Sequence, residues 1–397
     1  MSATIQKIQE LSEQYHSEIV EIRRHMHQYP ELSFQEYETS KFIQKELDKI
    51  GVPYHNDIAD NGIAALIEGE GGEGPTVALR ADFDALPIKE ANEVPYKSRH
   101  EGIMHACGHD VHTSSLLGAT KILYDLKSQI RGTIKLIFQP GEEKVPGGAH
   151  KMIQEGVLQN PEPQSIFGQH VMPELETGKV GFRPGKYMAS ADELFITVHG
   201  KGGHAAMPDM NVDPVVITSQ LISSLQQIVS RNSPPFTQSV LSIGKLWADG
   251  ATNVIPNKVE MEGTFRTFDE EWRNKAHERI SEICHNTAKA LGGSCELDIK
   301  RGYPYVNNDP ELTELARNAA GEYMGPENVV DLDMRATAED FAYYTHEIPG
   351  CFYRLGTGNK AKGITSSIHT PTFNVDEASL KTGMGLMAYL AVKKLEG

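Results

Sequence analysis

The sequence predicts an α/β fold in which a mostly parallel sheet forms a main domain and a ferredoxin-like β-α-β-β-α-β unit is inserted into it. Strands and helices alternate along the first part of the chain, which is typical of parallel sheets with helices on their faces. From about residue 186 to residue 301 the order becomes β-α-β-β-α-β, the split βαβ arrangement. The chain has 397 residues, which at roughly 150 residues per domain is enough for two or three folding units.

Two helices are predicted in the first fifty residues. Apolar residues recur every three or four positions from Ile5 to Met26, which places them on one side of a helix. Ser33 and Glu36 have the spacing of a capping box that would start a second helix, and Gly51 would end it.

Short apolar strands are predicted next, with a helix between the first two. The strands cover 76–80, 133–138 and 165–168, and the helix covers 111–126. Beyond the inserted unit, a strand is predicted at 351–355 and a last helix follows it. Asp376 is the expected N-cap of that last helix.

The inserted unit is predicted to lie between two hinge-like segments that contain proline and glycine, Arg183–Gly185 and Arg301–Pro304. Its strands and helices are predicted at 194–199, 213–230, 239–244, 259–267, 269–291 and 295–300. The predicted domain boundaries are therefore 1–185 and 302–397 for the main domain and 186–301 for the insert.

The charge balance excludes several classes of partner. Lys plus Arg number 38 against 54 for Asp plus Glu, a formal net charge of -16. Such a surface repels phosphate backbones and anionic lipid, so no nucleic-acid or membrane role is expected. No apolar run approaches the roughly 18 residues of a membrane span, and the first residues lack the apolar core of a secretory signal. With four cysteines and no CxxC pair, we expect a cytoplasmic protein with free thiols.

Residues that can hold metal ions follow three of the predicted strands. Asp82 and Asp84 follow the first strand, Glu142 and Glu143 the second, and His170 the third. Ligands of open parallel sheets bind at the carboxyl edge of the strands, so we expect these groups to meet there. Any one of them alone would more often be a helix cap or part of a solvated loop.

The segment His105–Asp110 is the densest cluster of potential ligands. It precedes a predicted helix, whose N-terminal N–H groups and dipole favour a thiolate. Residues two apart in an extended segment face the same side, so Cys107 and His109 are expected to converge, and a thiolate could bridge two ions. The alternative is a buried thiol with capping histidines. His105 and His112 are expected to lie outside the ligand set.

The adjacent carboxylates Glu142 and Glu143 suggest a division of roles. Neighbours on an extended backbone point in opposite directions, so one could hold a metal while the other faces the substrate and moves a proton. Metal-assisted hydrolysis needs both a cation and a nearby base. The alternative is a solvated acidic turn. His369, just before the last helix, would on its own more often be structural.

Two other catalytic signatures are not met. The glycine-rich segment Gly200–Pro208 lacks the pattern of a phosphate-binding P-loop, and a close backbone approach explains its glycines better. The sequence also has no G-x-S-x-G elbow, which argues against a serine hydrolase.

Six motifs, in order along the chain, are similar to those of one known family. They are Ala78–Pro87, His105–Asp110, Phe138–Glu143, His199–Pro208, Asn253–Pro256 and Ala338–Phe341. Through them the chain resembles, over nearly its whole length, the metal-dependent amidohydrolases that include hippurate hydrolase, N-acyl-amino-acid deacylases and auxin-conjugate hydrolases. That family is related to aminoacylase and to carboxypeptidase G.

The resemblance implies a site with two divalent metal ions, for which zinc, manganese, cobalt and nickel are candidates. Cys107 would bridge the ions, and the other ligands would be His109, Glu143, His170 and His369. Glu142 would be the general base that takes a proton from the attacking water and passes it to the leaving amine. Asp84 would orient one of the ligands.

The resemblance also implies that the inserted unit is a lid that closes over the substrate and mediates a homodimer or a dimer of dimers. On the lid, His204 would polarise the scissile carbonyl, in its own subunit's site or in the partner's. Asn253 and Arg266 would hold the substrate carboxylate. The expected reaction is hydrolysis of the amide bond of an N-acyl amino acid, with an acyl group such as acetyl or benzoyl.

Two alternatives stay open at the level of sequence. One is a metallo-exopeptidase or dipeptidase acting on unblocked peptides, and the other is a metal-bearing binding subunit without turnover. The sequence departs from the expected family pattern at Gly141, where alanine is more usual, and in the segment Thr-Ser-Ser-Ile before His369. Both departures concern the shape of the acyl pocket rather than the ligand set.

Overall fold

The computed structural model describes residues 2–397, which form two compact units. The first unit contains residues 2–185, 307–334 and 340–397. The second contains residues 186–306 and 335–339.

The helices and strands are numbered in chain order. The helices are α1 (Ala3–Gln28), α2 (Tyr37–Ile50), α3 (His109–Asp125), α4 (Gly148–Gln154), α5 (Pro214–Leu225), α6 (Glu270–Ala290), α7 (Pro310–Met324), α8 (Ala342–Glu347) and α9 (Ser379–Glu396). The first strands are β1 (Tyr54–Ile58), β2 (Gly62–Glu68), β3 (Thr76–Asp82), β4 (Thr133–Gln139), β5 (Ser165–Glu176), β6 (Val180–Phe182), β7 (Gly185–Met188) and β8 (Asp192–His199). The remaining strands are β9 (Gly203–His204), β10 (Ser239–Ala248), β11 (Val254–Ile255), β12 (Lys258–Thr267), β13 (Ser294–Arg301), β14 (Val306–Asn308), β15 (Val329–Asp331) and β16 (Gly350–Gly358).

The first unit is built on a mixed sheet with a parallel centre. Among the described residues this sheet has eight strands in the order β1-β2-β4-β3-β5-β16-β6-β15. The central pairs β4–β3, β3–β5 and β5–β16 are parallel, and antiparallel pairs lie towards the two edges. The prediction of an α/β fold with a mostly parallel sheet is therefore confirmed.

Helices α1, α3 and α9 pack together, and α3 and α9 also pack on β3. The predicted apolar stripe of α1 is buried, with Ile8 and Ile19 fully inaccessible to solvent. Parallel β3 is buried along its whole length, as expected for a strand covered on both faces. This leaves the carboxyl ends of the central strands as the place where polar side chains can gather.

Two helix starts differ from the prediction. Ser33 donates to the Asp84 carboxylate at 2.6 Å, and Glu36 makes no capping hydrogen bond, so the capping box is wrong and α2 begins at Tyr37. Both side chains are used in tertiary contacts instead. The predicted end at Gly51 is confirmed, because this glycine is left-handed with φ 88°. The last helix begins at Ser379, three residues beyond Asp376, so that residue is not its N-cap.

The second unit contains a four-stranded antiparallel sheet in the order β10-β12-β8-β13, with α5 and α6 packed on each other and on its strands. Along the chain its main elements follow the order β-α-β-β-α-β. The segment Arg335–Glu339 also belongs to this unit, because Arg335 exchanges main-chain hydrogen bonds with Tyr187 and Ala189. The sequence predicts that the inserted unit ends at residue 301, whereas in the structure the second unit extends to residue 306 and includes this additional segment.

Within residues 2–397, every helix is too short or too polar to pass through a lipid bilayer.

Candidate metal centre

The potential metal ligands of the first unit converge on the sulfur of Cys107. Nε2 of His170 lies 3.4 Å from this sulfur and Nε2 of His369 lies 3.3 Å from it. Gly108 makes this approach possible, since it has φ 84° and a Cβ there would lie 2.5 Å from Val171. Residues separated in sequence by more than 260 positions thus meet at one thiol.

His109 is the first residue of α3 and is fully buried. Its Nδ1 donates to the Asp84 carboxylate at 3.0 Å, so loss of the ring's other proton would leave the lone pair on Nε2. Burial lowers the pKa of His109, but the carboxylates of Asp82 and Asp84 outweigh it and raise that pKa well above its ordinary value. Because Gly108 is left-handed and His109 is helical, the two ligands converge through a turn and not, as predicted, along an extended segment.

His170 lies within β5 and not beyond its end, because β5 continues to Glu176 beside β16. Its Nδ1 donates to the carbonyl of Val171 at 2.8 Å, so Nε2 carries the lone pair that faces Cys107. Burial and the nearby Arg354 guanidinium hold the pKa of His170 well below its usual range. The ring is therefore a neutral donor, which is the form that binds metals.

His369 reaches the cluster from the loop before α9. It has φ 61°, an uncommon value for a histidine, and its N–H donates to the carbonyl of Ala106 at 2.8 Å. Its Nε2 lies 3.2 Å from Oε1 of Glu143 as well as close to the Cys107 sulfur. Hydrogen bonds to Cys107 and Glu143 raise the pKa of His369 to about 10.

Glu142 and Glu143 lie in a turn after β4 and not on an extended backbone. The N–H of Glu143 donates to Asp84 at 2.9 Å, and the N–H of Gly141 donates to the buried Glu36 at 2.8 Å. Gly141 has φ 61°, and a Cβ there would lie 2.5 Å from the ring of Phe34. Alanine, the residue expected from the family pattern, would therefore be strained in this chain.

The two carboxylates face different neighbours although both approach His109. Oε2 of Glu142 and Oε1 of Glu143 each lie 4.0 Å from Nε2 of His109. Glu143 also belongs to the group around Cys107 and His369, whereas Oε1 of Glu142 accepts the N–H of Asp340 at 3.4 Å. The predicted division of roles has a geometric basis, although a turn rather than alternation along a strand produces it.

The donor atoms fit a pair of cations. Among the described residues, five groups of three have donor atoms within 4.8 Å of one another, and two of these groups share a thiol, namely Cys107 with His109 and His170, and Cys107 with Glu143 and His369. Cys107 is common to both, and a thiolate can bridge. Nε2 of His109 is buried and has no hydrogen-bond partner among the described residues. A buried polar atom without a partner is destabilising unless something else, such as a bound cation, interacts with it. Thiolate, imidazole and carboxylate together suit divalent transition metals.

The surrounding histidines differ from the ligands in their contacts. Nδ1 of His112 lies 2.6 Å from Asp82, and Nε2 accepts the N–H of Val171, so both ring nitrogens are engaged. These contacts favour the prediction that His112 is not a ligand, although its donor atom also groups with those of Asp82 and His109. His105 is buried, and burial lowers its pKa to about 4. Asp82 lies 3.7 Å from Nε2 of His109 and bonds to Arg80 at 2.8 Å.

The remaining predicted site residues lie in the second unit. The short strand β9 pairs His204 with Val254, and the carbonyl of Asn253 accepts the N–H of Ala205 at 3.0 Å. Arg266 is near the other end of β12 and donates to Thr264 at 3.2 Å. Lys258 begins β12, and Arg266 lies eight residues further along the strand, a distance of about 20 Å or more. Within a single chain, His204 and Asn253 are therefore neighbours, and Arg266 lies away from both.

Arg80 and Asp340 form a buried network for which the sequence motifs that contain them indicate no role. Arg80 is fully buried and donates to Gln139, Asp82 and Asp340 at 2.7–2.8 Å. The sequence feature that could have identified this network is an arginine inside the apolar strand Thr76–Asp82. Such a residue needs buried partners, and these had to come from elsewhere in the chain.

Comparison with known proteins gives a consistent result. Residues 78–393 match the family described as peptidase family M20/M25/M40. An N-acetyl-L-cysteine deacetylase of Bacillus subtilis is 42% identical over 363 residues, which are 91% of this chain and 85% of that protein. An IAA-amino acid hydrolase of Arabidopsis thaliana is 40% identical over 381 residues, 95% and 86% of the two chains. A crystal structure of a dinuclear metal binding peptidase of the M20 family from Bacillus subtilis superposes with a TM-score of 0.82 at 35% identity, over 97% and 99% of the two chains.

Proposed function

The chain belongs to peptidase family M20/M25/M40, and from that premise we propose that it hydrolyses the amide bond of N-acyl amino acids. The products are a carboxylate and a free amino acid. The observation that carries the proposal is the convergence of two histidines on the Cys107 sulfur at 3.3 and 3.4 Å. Relatives named as a deacetylase and as an amino acid hydrolase support the substrate class.

We assign two divalent metal ions to the cluster, with zinc, manganese, cobalt and nickel as candidates. Cys107 would be a ligand of both ions. The other ligands would be His109, Glu143, His170 and His369. Cations held there would supply Lewis acidity, which lowers the pKa of water and polarises a carbonyl. Asp84 fixes the His109 ring and the Glu143 backbone at once, and so keeps two ligands in place.

Glu142 is the proposed general base. Its carboxylate forms a group with His109 and Glu143 but not with Cys107 and His369, so it lies beside the shared thiol and not on it. A carboxylate in that position accepts a proton from the attacking water and returns it to the leaving nitrogen. Because Glu142 is buried, bulk water does not compete for this proton transfer.

The second unit is proposed to be a ferredoxin-like lid. Its β-α-β-β-α-β order and its antiparallel sheet support this assignment. His204 would polarise the scissile carbonyl, and Asn253 and Arg266 would bind the substrate carboxylate. His204 lies beside β11, which precedes β12, whereas Arg266 lies near the end of β12. This separation supports a division of the roles between two subunits, in which His204 and its neighbour Asn253 serve the partner's site.

A homodimer through the lid is supported by an exposed apolar surface. Strand β10 is at the edge of its sheet, where unpaired main-chain groups can accept another strand. Side chains on it and on α5 are exposed, namely Trp247 at 63%, Leu246 at 50% and Val216 at 54%. Large apolar side chains exposed on and near an edge strand are typical of protein interfaces. The same surface could also join two dimers.

A substrate panel tests the proposal. The protein is stripped with a chelator, reconstituted separately with each candidate metal, and assayed with N-acetyl and N-benzoyl amino acids and with the matching unblocked dipeptides. We expect release of free amino acid from the acylated substrates, dependent on about two bound ions per chain. Faster cleavage of the dipeptides would indicate an exopeptidase instead. Metal binding without turnover of any substrate would indicate a binding subunit.

A further inference from the structure

The loop that carries Glu142 and Glu143 is held from both of its ends by one buried carboxylate, that of Asp340. Gln139, the last residue of β4, donates Nε2 to both carboxylate oxygens at 2.9 and 2.8 Å. On the far side of the loop, the N–H of Ala149 in the first turn of α4 donates to Oδ2 at 2.9 Å. Asp340 is fully buried, so these bonds are not exchanged with water.

The same residue also contacts the carboxylate of Glu142 directly. The main-chain N–H of Asp340 donates to Oε1 of Glu142 at 3.4 Å. The direction of this N–H depends on how the Asp340 peptide is oriented, and the side-chain bonds fix that orientation. We propose that Asp340 is a positioning residue for Glu142, an inference that rests on the proposed function of Glu142 as the base.

Arg80 connects this arrangement to the edge of the sheet. Its Nη2 donates to Asp340 at 2.7 Å and its Nη1 donates to Asp82 at 2.8 Å. Its Nε donates to Gln139 at 2.8 Å. The guanidinium thus neutralises two buried carboxylates that would otherwise repel each other, and it ties Asp340 to the rigid strand β3.

The consequence is that the rotamer of Glu142 is set by groups that never touch the substrate. A general base must lie within hydrogen-bond reach of the proton that it removes, and a displacement of about 1 Å can cost roughly a hundredfold in rate. Loss of the Asp340 anchor should therefore lower kcat and leave substrate binding and metal content almost unchanged.

The test is a double-mutant cycle between Asp340→Asn and Glu142→Gln in the metal-loaded enzyme, with metal stoichiometry and thermal midpoint measured for each variant. We expect D340N alone to lower kcat by about 10- to 100-fold, with KM changed less than about threefold and two ions still bound. In the Glu142→Gln background the same change should cost less than about threefold, because the residue through which it acts is already gone.

The cycle distinguishes failure of this inference from failure of the proposed base. If D340N costs the same factor in both backgrounds, or loses its metal together with its activity, Asp340 does not act through Glu142 and the inference is overturned. If Glu142→Gln alone is fully active, the proposed base is wrong, which is a separate result. If D340N fails to fold, Gln139→Met replaces it, since that change removes the two side-chain donors from Asp340 and should show the same coupling. Asp376→Asn is the control, a buried carboxylate bonded to Lys362 and Asn359 that should leave kcat within about twofold.

Discussion

Among single residues, the chemistry of the cluster depends on which ring nitrogen each histidine keeps free. A carboxylate takes one nitrogen of His109 and a carbonyl takes one nitrogen of His170. Since both partners can only accept hydrogen bonds, each ring must donate there and present its other nitrogen to the cluster. In His112 both nitrogens are engaged by protein groups, which leaves neither ring nitrogen available to a cation in this arrangement.

Replacement of Glu142 by glutamine should separate proton transfer from metal binding. The amide has nearly the same shape but cannot accept the proton, so kcat should fall by roughly 10²–10⁴. Metal content, measured by elemental analysis, should stay at the wild-type value because Glu142 is not one of the assigned ligands. Near-normal turnover of this variant would contradict the assigned role.

Glu36 should make stability depend on pH. It is buried, and burial together with the nearby Asp84 raises its pKa from 4.5 to about 7. Because the folded-state pKa lies above the unfolded one, the stabilisation is complete below pH 4.5 and is lost as the pH rises through about 7. Glu36→Gln stays neutral, so its free energy of unfolding relative to wild type should increase by about 2–3 kcal/mol between pH 5 and pH 8.

Urea unfolding at several pH values measures this difference. A gap between Glu36→Gln and wild type that does not change with pH would show that Glu36 titrates normally. The hydrogen bond from Gly141 to Glu36 can be retained by the glutamine oxygen, whereas the glutamine NH2 cannot accept the bond from Asn61. That loss is the same at every pH, so the change of the difference with pH still reports the charge.

The secondary-structure elements bring the ligands together in ways that sequence patterns could not specify. The turn at Gly108 brings the first residue of α3 next to Cys107, and the extension of β5 to Glu176 places His170 in mid-strand. Both facts depend on neighbours distant in sequence, namely Val171 against Gly108 and β16 beside β5. Local periodicity predicts that a strand exists, but the partner strand decides how far it continues.

Gly108→Ala should damage both the fold and the cluster. Alanine would have to adopt φ 84° and would contact Val171 at 2.5 Å, so the free energy of unfolding should fall by about 2–4 kcal/mol. Metal affinity should fall too, because the backbone between Cys107 and His109 would shift. Gly102→Ala is the matched control, since Gly102 has φ 81° with open space around its Cβ position.

Denaturant unfolding and metal titration of the two glycine variants give the comparison. The control should lose only the cost of a left-handed alanine, about 1–2 kcal/mol, and keep its metal affinity. Equal losses in both variants would show that packing against Val171 contributes nothing.

Over the whole molecule, the residues with proposed roles are divided between the two compact units. The proposed metal ligands belong to the first unit, whereas His204, Asn253 and Arg266 belong to the second. The net charge of -16 is compatible with a small-molecule substrate drawn into a site that carries its own cations. It gives no reason to expect nucleic acid as a partner.

Complementation between two inactive variants tests whether His204 serves the partner's site. Chains carrying His204→Ala and Glu142→Gln are co-expressed with different tags, and the mixed dimer is purified through both tags. If His204 acts in the partner, one of the two sites contains both wild-type residues, and about half of the wild-type kcat per dimer should return. Mixed dimers as inactive as either parent would place His204 in its own subunit's site. If the two folded chains are co-expressed and no mixed dimer can be isolated, the proposed dimer is contradicted.

The sequence by itself determined the family, the alternation of strands and helices, and the identity of the side chains able to bind metals, because these depend on residue type and local spacing. It could not determine that the side chains of Ser33 and Glu36 form hydrogen bonds with Asp84 and Gly141 instead of capping α2. Nor could it assign a role to Asp340, whose hydrogen-bond partners lie about 190 to 260 positions away. Only the tertiary structure decided these contacts, since a buried charge or donor takes its partner from whatever the fold brings close to it.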